Sequence, residues 1–196
     1  MRRALEAAYA TPPRAYHNAG HVNQLLRHFH EVQEGPGWHA PAPVWLALLY
    51  HDAVYGPGRS DNEARSAVLA REHIARWLPT TDIDADRVAG LVELTARHGR
   101  IEPGELGEDA AAQDARHFLD CDMAVLGAPP DEFAAYDRGI AAEYRGHVPA
   151  WLYRLNRKRF LKTLLQQPRL YLSDFFHQRL DAQARINLRR AVTHKQ

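Results

Sequence analysis

Leu46-Ala47-Leu48-Leu49-Tyr50-His51-Asp52-Ala53-Val54-Tyr55 sets an adjacent imidazole and carboxylate inside an apolar run. The residues from about Ala42 to Tyr55 are apolar on nearly every side, the mark of a helix surrounded by protein. An ionised carboxylate buried without a partner costs several kcal/mol or neutralises itself, so His51-Asp52 calls for a cation or a dense hydrogen-bond network. A divalent metal is the simplest such partner. Gly56-Pro57-Gly58 is expected to stop the helix, which leaves the pair at its negative end.

Composition narrows the classes around this helix. The chain of 196 residues suits one domain with a substantial core, and 45% hydrophobic with 25% charged residues fits a globular protein. A formal net charge of +1 gives no global reason to bind long nucleic acid. No run approaches the roughly 20 apolar residues of a membrane span, so no membrane partner is expected. The single cysteine, Cys121, cannot form an internal disulfide and fits a reducing, cytoplasmic setting; next to Asp122 on a helix it reads as packing. Twelve histidines are many for this length and favour metal or acid-base chemistry.

Outward from the central helix, only helical periodicity appears. Residues 2–9 form a short helix before Thr11-Pro12-Pro13. Asn18 caps a helix to about Gln33 that buries Val22, Leu25, Leu26 and Phe29 and places His21 at the core edge, with His28 and His30 in solvent. Ser60 and Glu63 make a capping box for a helix through Ala64, Val68, Leu69, Ile74, Trp77 and Leu78. Further helices run from about Ile83 to His98, from about Asp109 to Leu126, and from Pro129-Pro130-Asp131-Glu132 to about Arg145. A basic one from about Ala150 to Gln167 turns Trp151, Leu152, Leu155, Phe160, Leu161, Leu164 and Leu165 to the core, and a last one covers 178–193. The fold class is all-α, a single-domain helical bundle over 1–196, with a metal-binding core at about 14–127 and C-terminal helices 129–193 packed on it.

Asp122 sits among apolar neighbours as Asp52 does, so His21, His51-Asp52 and Asp122 form an ordered set on separate helices. Two imidazoles and two carboxylates are borderline ligands suited to Mn²⁺, Fe²⁺, Co²⁺, Ni²⁺ or Zn²⁺, with Mg²⁺ admissible, and they leave positions open for water and a phosphate oxygen. The order H…HD…D resembles the HD superfamily of metal-dependent phosphohydrolases. More narrowly, Tyr16-His17-Asn18-x-x-His21-Val22, His51-Asp52-x-Val54-Tyr55, Asp61-Asn62-Glu63-x-x-Ser66-Ala67, Thr95-x-x-His98 and Leu119-Asp120-x-Asp122-x-x-x-Leu126-Gly127 are similar to a group of predicted HD phosphohydrolases. Glu143-Tyr144-Arg145 extends the likeness.

The resemblance implies an HD-type bundle that hydrolyses a small phosphorylated metabolite, such as a nucleotide, with metal-activated water. His21, His51, Asp52 and Asp122 are then the metal ligands, and Asp52 also helps to deprotonate the water. Glu63 is either the capping-box residue or an acid-base group holding that water. His17 reaches the substrate phosphate or serves as a cap; His98 contacts phosphate, binds a second metal or pairs with a helix C-terminus. Arg14 and Arg145 are candidate phosphate clamps, and the run Arg154, Arg157, Lys158, Arg159 and Lys162 reads first as a solvated face. Two other readings stand beside the hydrolase: a di-iron oxygenase that recruits His73 and His98, and a non-catalytic domain that binds metal or nucleotide. A homodimer is compatible with all three. P-loop, Rossmann and serine-elbow signatures are absent.

Overall fold

The computed structural model describes residues 1–102 and 104–193. Its centre is a helix, α3 (Pro41–Tyr50), whose Val44, Leu46, Ala47, Leu48 and Tyr50 are buried. Around it lie α1 (Arg2–Ala10), α2 (Ala19–Glu34), α4 (Asn62–Trp77), α5 (Ala85–Leu94) and α6 (Ala110–Met123). The outer elements are α7 (Pro130–Glu143), α8 (Ala150–Gln166) and α9 (Asp174–Thr193), with 3₁₀ turns at Thr95–Arg97 and Ala124–Gly127. α3 packs against α2, α4, α5 and α6, while α9 lies on the 124–127 turn and on α8. No strand occurs among the described residues, so the all-α bundle is what the periodicity predicts.

Each helix packs as it does for a local reason. Pro41 and Pro43 start α3 where missing N–H groups cost nothing, and the buried Asp114 of α6 receives His39 N and Ala40 N at 2.9 Å, satisfying amides at the helix entrance. Fully burying side chains such as Leu48 or Tyr50 is worth roughly 1.5–3 kcal/mol each, which outweighs the weak intrinsic preference of a ten-residue helix. Asn18 caps α2 as expected, its Oδ1 accepting from Gly20 N at 2.8 Å.

Several boundaries differ from the sequence expectation. α3 ends at Tyr50, five residues before the predicted stop, and His51 is its C-cap. The cause is Arg14 rather than Gly56-Pro57-Gly58: its guanidinium donates to Asp52 O and Ala53 O at 2.9 and 3.1 Å, holding the chain in a turn. Ser60 and Glu63 form no capping box, because Asp61 takes the N-cap position without a side-chain bond. Val68 faces solvent and His28 is half-buried, bonded to Glu31 at 3.2 Å. α8 buries only Leu161 and Leu164; Trp151, Leu155 and Phe160 are exposed, because α9 covers just one side of it. α9 begins at Asp174, where Asp120 of α6 accepts from Leu172 N, Ser173 N and Ser173 Oγ and anchors the preceding turn.

Candidate metal centre

Three helices and two turns bring the polar groups together. His21 lies in the first turn of α2, three residues beyond its Asn18 cap, with its side chain 1% exposed. His51 closes α3 and is equally buried, Asp52 follows in the turn, and Asp122 stands in the last turn of α6. One ligand atom each from His21, His51 and Asp122 fall within 4.8 Å of one another. His21 Nε2 is 3.1 Å from His51 Nε2 and 3.1 Å from Asp122 Oδ1, and His51 Nε2 is 3.7 Å from Asp122 Oδ1. Asp52 Oδ2 stands 3.0 Å from His51 Nε2 and 3.7 Å from His21 Nε2.

These separations suit donors around one ion. Ligands held at about 2.1 Å lie about 3.0 Å apart when cis in an octahedron and about 3.4 Å apart in a tetrahedron. The protein interior has independently prepared the donors. His51 Nδ1 is 2.9 Å from Leu48 O, so the ring keeps its Nδ1 proton there and turns the Nε2 lone pair towards the carboxylates. A lone pair facing carboxylate oxygens is repulsive unless a cation or a proton lies between them.

The electrostatics record the same demand. Burial opposes charging of His51, yet Asp52 and Asp122 outweigh it and raise the ring to about 9. His21 moves the other way, because burial lowers it more than Asp122 and Asp52 restore it. Both carboxylates are held below the usual range against the effect of burial, Asp52 by His51 and His17 and Asp122 by His98 and His21. The pocket thus stores negative charge ready to meet a cation.

A surrounding layer of side chains fixes this group. His98, just past the 95–97 turn, places Nδ1 3.0 Å from Asp122 Oδ2, so it orients that carboxylate, and its Nε2 is buried without a partner. His17 bonds through Nδ1 to Glu143 Oε2 at 2.6 Å and holds Nε2 3.8 Å from Asp52 Oδ2. Burial works against charging this ring too, but Asp52 and Glu143 leave it raised above 6.5. Glu143 at the end of α7 accepts four bonds: from Tyr16 N and His17 N on Oε1 and from the His17 ring and Tyr55 Oη on Oε2.

The remaining candidates stand apart from this arrangement. Arg14 commits its guanidinium to His17 O, Asp52 O and Ala53 O and lies over the rings of Tyr9 and Tyr55, clamping the His17 loop to the His51-Asp52 turn. Arg145 is exposed in the turn after α7, and Glu63 is half-buried; neither side chain forms a hydrogen bond or ion pair among the described residues. His73 bonds to Tyr50 Oη at 2.8 Å and packs on Trp77. Cys121 is buried beside Asp122 and lines, with His21, Asp122 and Tyr16, a cleft of about 320 Å³ between α2, the 124–129 segment and α9.

Two members of the site, Glu143 and Tyr55, fall within the stretches that carry the family likeness, but sequence reasoning gives neither a role in the site. Tyr55 follows the His-Asp pair closely enough to suggest proximity, but Glu143 lies 126 residues from His17, and apart from the likeness at Glu143-Tyr144-Arg145 its local sequence resembles that of a surface glutamate. No family model, curated protein or solved structure matches this chain.

Proposed function

We propose that the chain is a metal-dependent phosphohydrolase acting on a small phosphorylated metabolite, with His21, His51, Asp52 and Asp122 as ligands of a divalent transition metal. One observation carries the reading: donor atoms of His21, His51 and Asp122, from α2, the end of α3 and α6, lie within 4.8 Å of one another, with Asp52 Oδ2 3.0 Å from His51 Nε2 and His51 already oriented by Leu48 O. The likeness of the sequence to HD phosphohydrolases points the same way. A divalent ion bound there supplies Lewis acidity towards a phosphoryl oxygen and lowers the pKa of a water towards neutrality.

The chain's own residues then divide the work. Asp52, engaged through Oδ2, retains a second oxygen able to accept the proton of the attacking water. His98 keeps Asp122 in place through Nδ1. His17, its Nδ1 proton given to Glu143, offers Nε2 to an oxygen of the transferring group, where charge accumulates. Glu63 is kept as an acid-base candidate only if it moves, since it touches none of these groups. His73 is engaged by Tyr50 and packs on Trp77 away from the four proposed ligands, which favours the hydrolase over a di-iron oxygenase that would recruit it.

The test is metal quantification on the purified chain together with a phosphate-release screen across nucleotides and sugar phosphates in Mn²⁺, Co²⁺, Ni²⁺ and Mg²⁺. We expect phosphate release that falls at least a hundredfold in Asp52→Ala, and loss of metal retention in Asp122→Ala. Full activity in Asp52→Ala, or bound substrates that are never turned over by metal-loaded protein, would overturn the assignment.

A further inference from the structure

The near-neutral net charge conceals a sharp division. Residues 1–143 carry thirteen Lys and Arg against twenty-two Asp and Glu, whereas residues 144–193 carry eleven Lys and Arg against only Asp174 and Asp181. Both of those acids are already paired, Asp174 with Arg169 and Asp181 with Arg185. On α8, Arg154, Lys158, Arg159 and Lys162 are exposed, as are Arg189 and Arg190 on α9, and none of the six forms an ion pair among the described residues. Among the described residues, the same two neighbouring helices hold four of the five large hydrophobic side chains that face solvent: Trp151 at 66% exposure, Leu155 at 40%, Phe160 at 36% and Ile186 at 41%.

We infer that the α8–α9 layer is a docking surface for an anionic lipid membrane, on which the protein sits peripherally without crossing it. On α8, Trp151, Leu155, Lys158 and Lys162 follow one another at i, i+4, i+7 and i+11, so they share the side turned away from the core. Aromatic and aliphatic groups that enter the headgroup boundary, flanked by long cationic side chains, are what an interfacial helix presents. Nucleic acid would use the cations and the tryptophan but gains nothing from exposed Leu155 and Ile186. A second copy docked symmetrically would set two like-charged layers face to face. Anionic lipid answers both the charge and the aliphatic groups.

The experiment is flotation of the full chain with vesicles of phosphatidylcholine alone or with about 30% phosphatidylserine, at physiological salt. We expect retention on the serine-containing vesicles only. Each cation near the surface is worth about 1 kcal/mol, about fivefold, so Lys158→Gln/Arg159→Gln/Lys162→Gln should weaken partitioning on the order of a hundredfold. Trp151→Ser/Leu155→Ser should weaken it independently, and circular dichroism should be unchanged because all five positions are exposed. Equal partitioning to both vesicles, or no partitioning, overturns the proposal. So does retention by single-stranded nucleic acid with none by vesicles, or a concentration-dependent dimer abolished by Trp151→Ser. None of these readings requires phosphate release, so they stand or fall separately from the enzymatic assignment.

Discussion

His51 is the residue at which acid-base chemistry and metal affinity meet. Without metal, its ring is raised from the ordinary 6.5 to about 9 by Asp52 and Asp122, although burial pulls the other way. A raised histidine stabilises the fold fully below pH 6.5, and that contribution is lost as pH rises through about 9. The metal-free chain should therefore lose a few kcal/mol of unfolding free energy between those limits in urea titrations at stepped pH, and His51→Gln should flatten the slope. Metal binding must displace the same proton, so affinity should rise about tenfold per pH unit from pH 6.5 to 8.5. Isothermal titration in buffers of different ionisation enthalpy checks this by counting the proton released.

Elements decide how firmly the site is held, and the end of α5 shows where that support is tight. Gly99 adopts φ +68, and a Cβ added there would overlap Cδ2 of Leu164 on α8. The turn that carries His98 thus lies directly against α8. Gly99→Ala should cost about 1–3 kcal/mol from strain and overlap together, read as a lower urea midpoint, and should also loosen metal binding by displacing His98. Adding Leu164→Ala removes the overlap and keeps the strain, so the double variant should not recover metal affinity fully.

The same element scale explains what could be read in advance. Helical period and caps such as Asn18 make the bundle legible, and the polar residues at the core edge, His21, His51-Asp52 and Asp122, mark three segments that do meet. The stop of α3 was not legible, because Arg14, distant in sequence, supplies the donors that end it. The likeness at Glu143-Tyr144-Arg145 flags Glu143, but its role is not legible for the same reason: its partners Tyr16, His17 and Tyr55 are distant in sequence. The core side of α8 was misjudged because its apolar residues outnumber the neighbours available to cover them, and periodicity reports hydrophobicity rather than burial.

At the scale of the whole molecule, the proposed ion would join α2, α3 and α6, which the chain brings together across a sequence separation of 101 between His21 and Asp122. A ligand that binds only the native state stabilises it by about 2.7 kcal/mol at a hundred times its Kd. For a domain of this size we expect Tm to rise by roughly 5–10 °C when Mn²⁺ or Co²⁺ is added and to fall back with chelator, as measured by differential scanning fluorimetry. Asp122→Ala should show no rise.

The four-fold acceptor at Glu143 has one more consequence. Residues 15–18 lie between helices at the molecular surface, where main-chain protons would ordinarily trade with solvent within seconds. The amides of Tyr16 and His17 are instead tied to a carboxylate with no solvent exposure of its own, so in deuterated buffer they should label as slowly as those inside α2, and Glu143→Ala should release both at once.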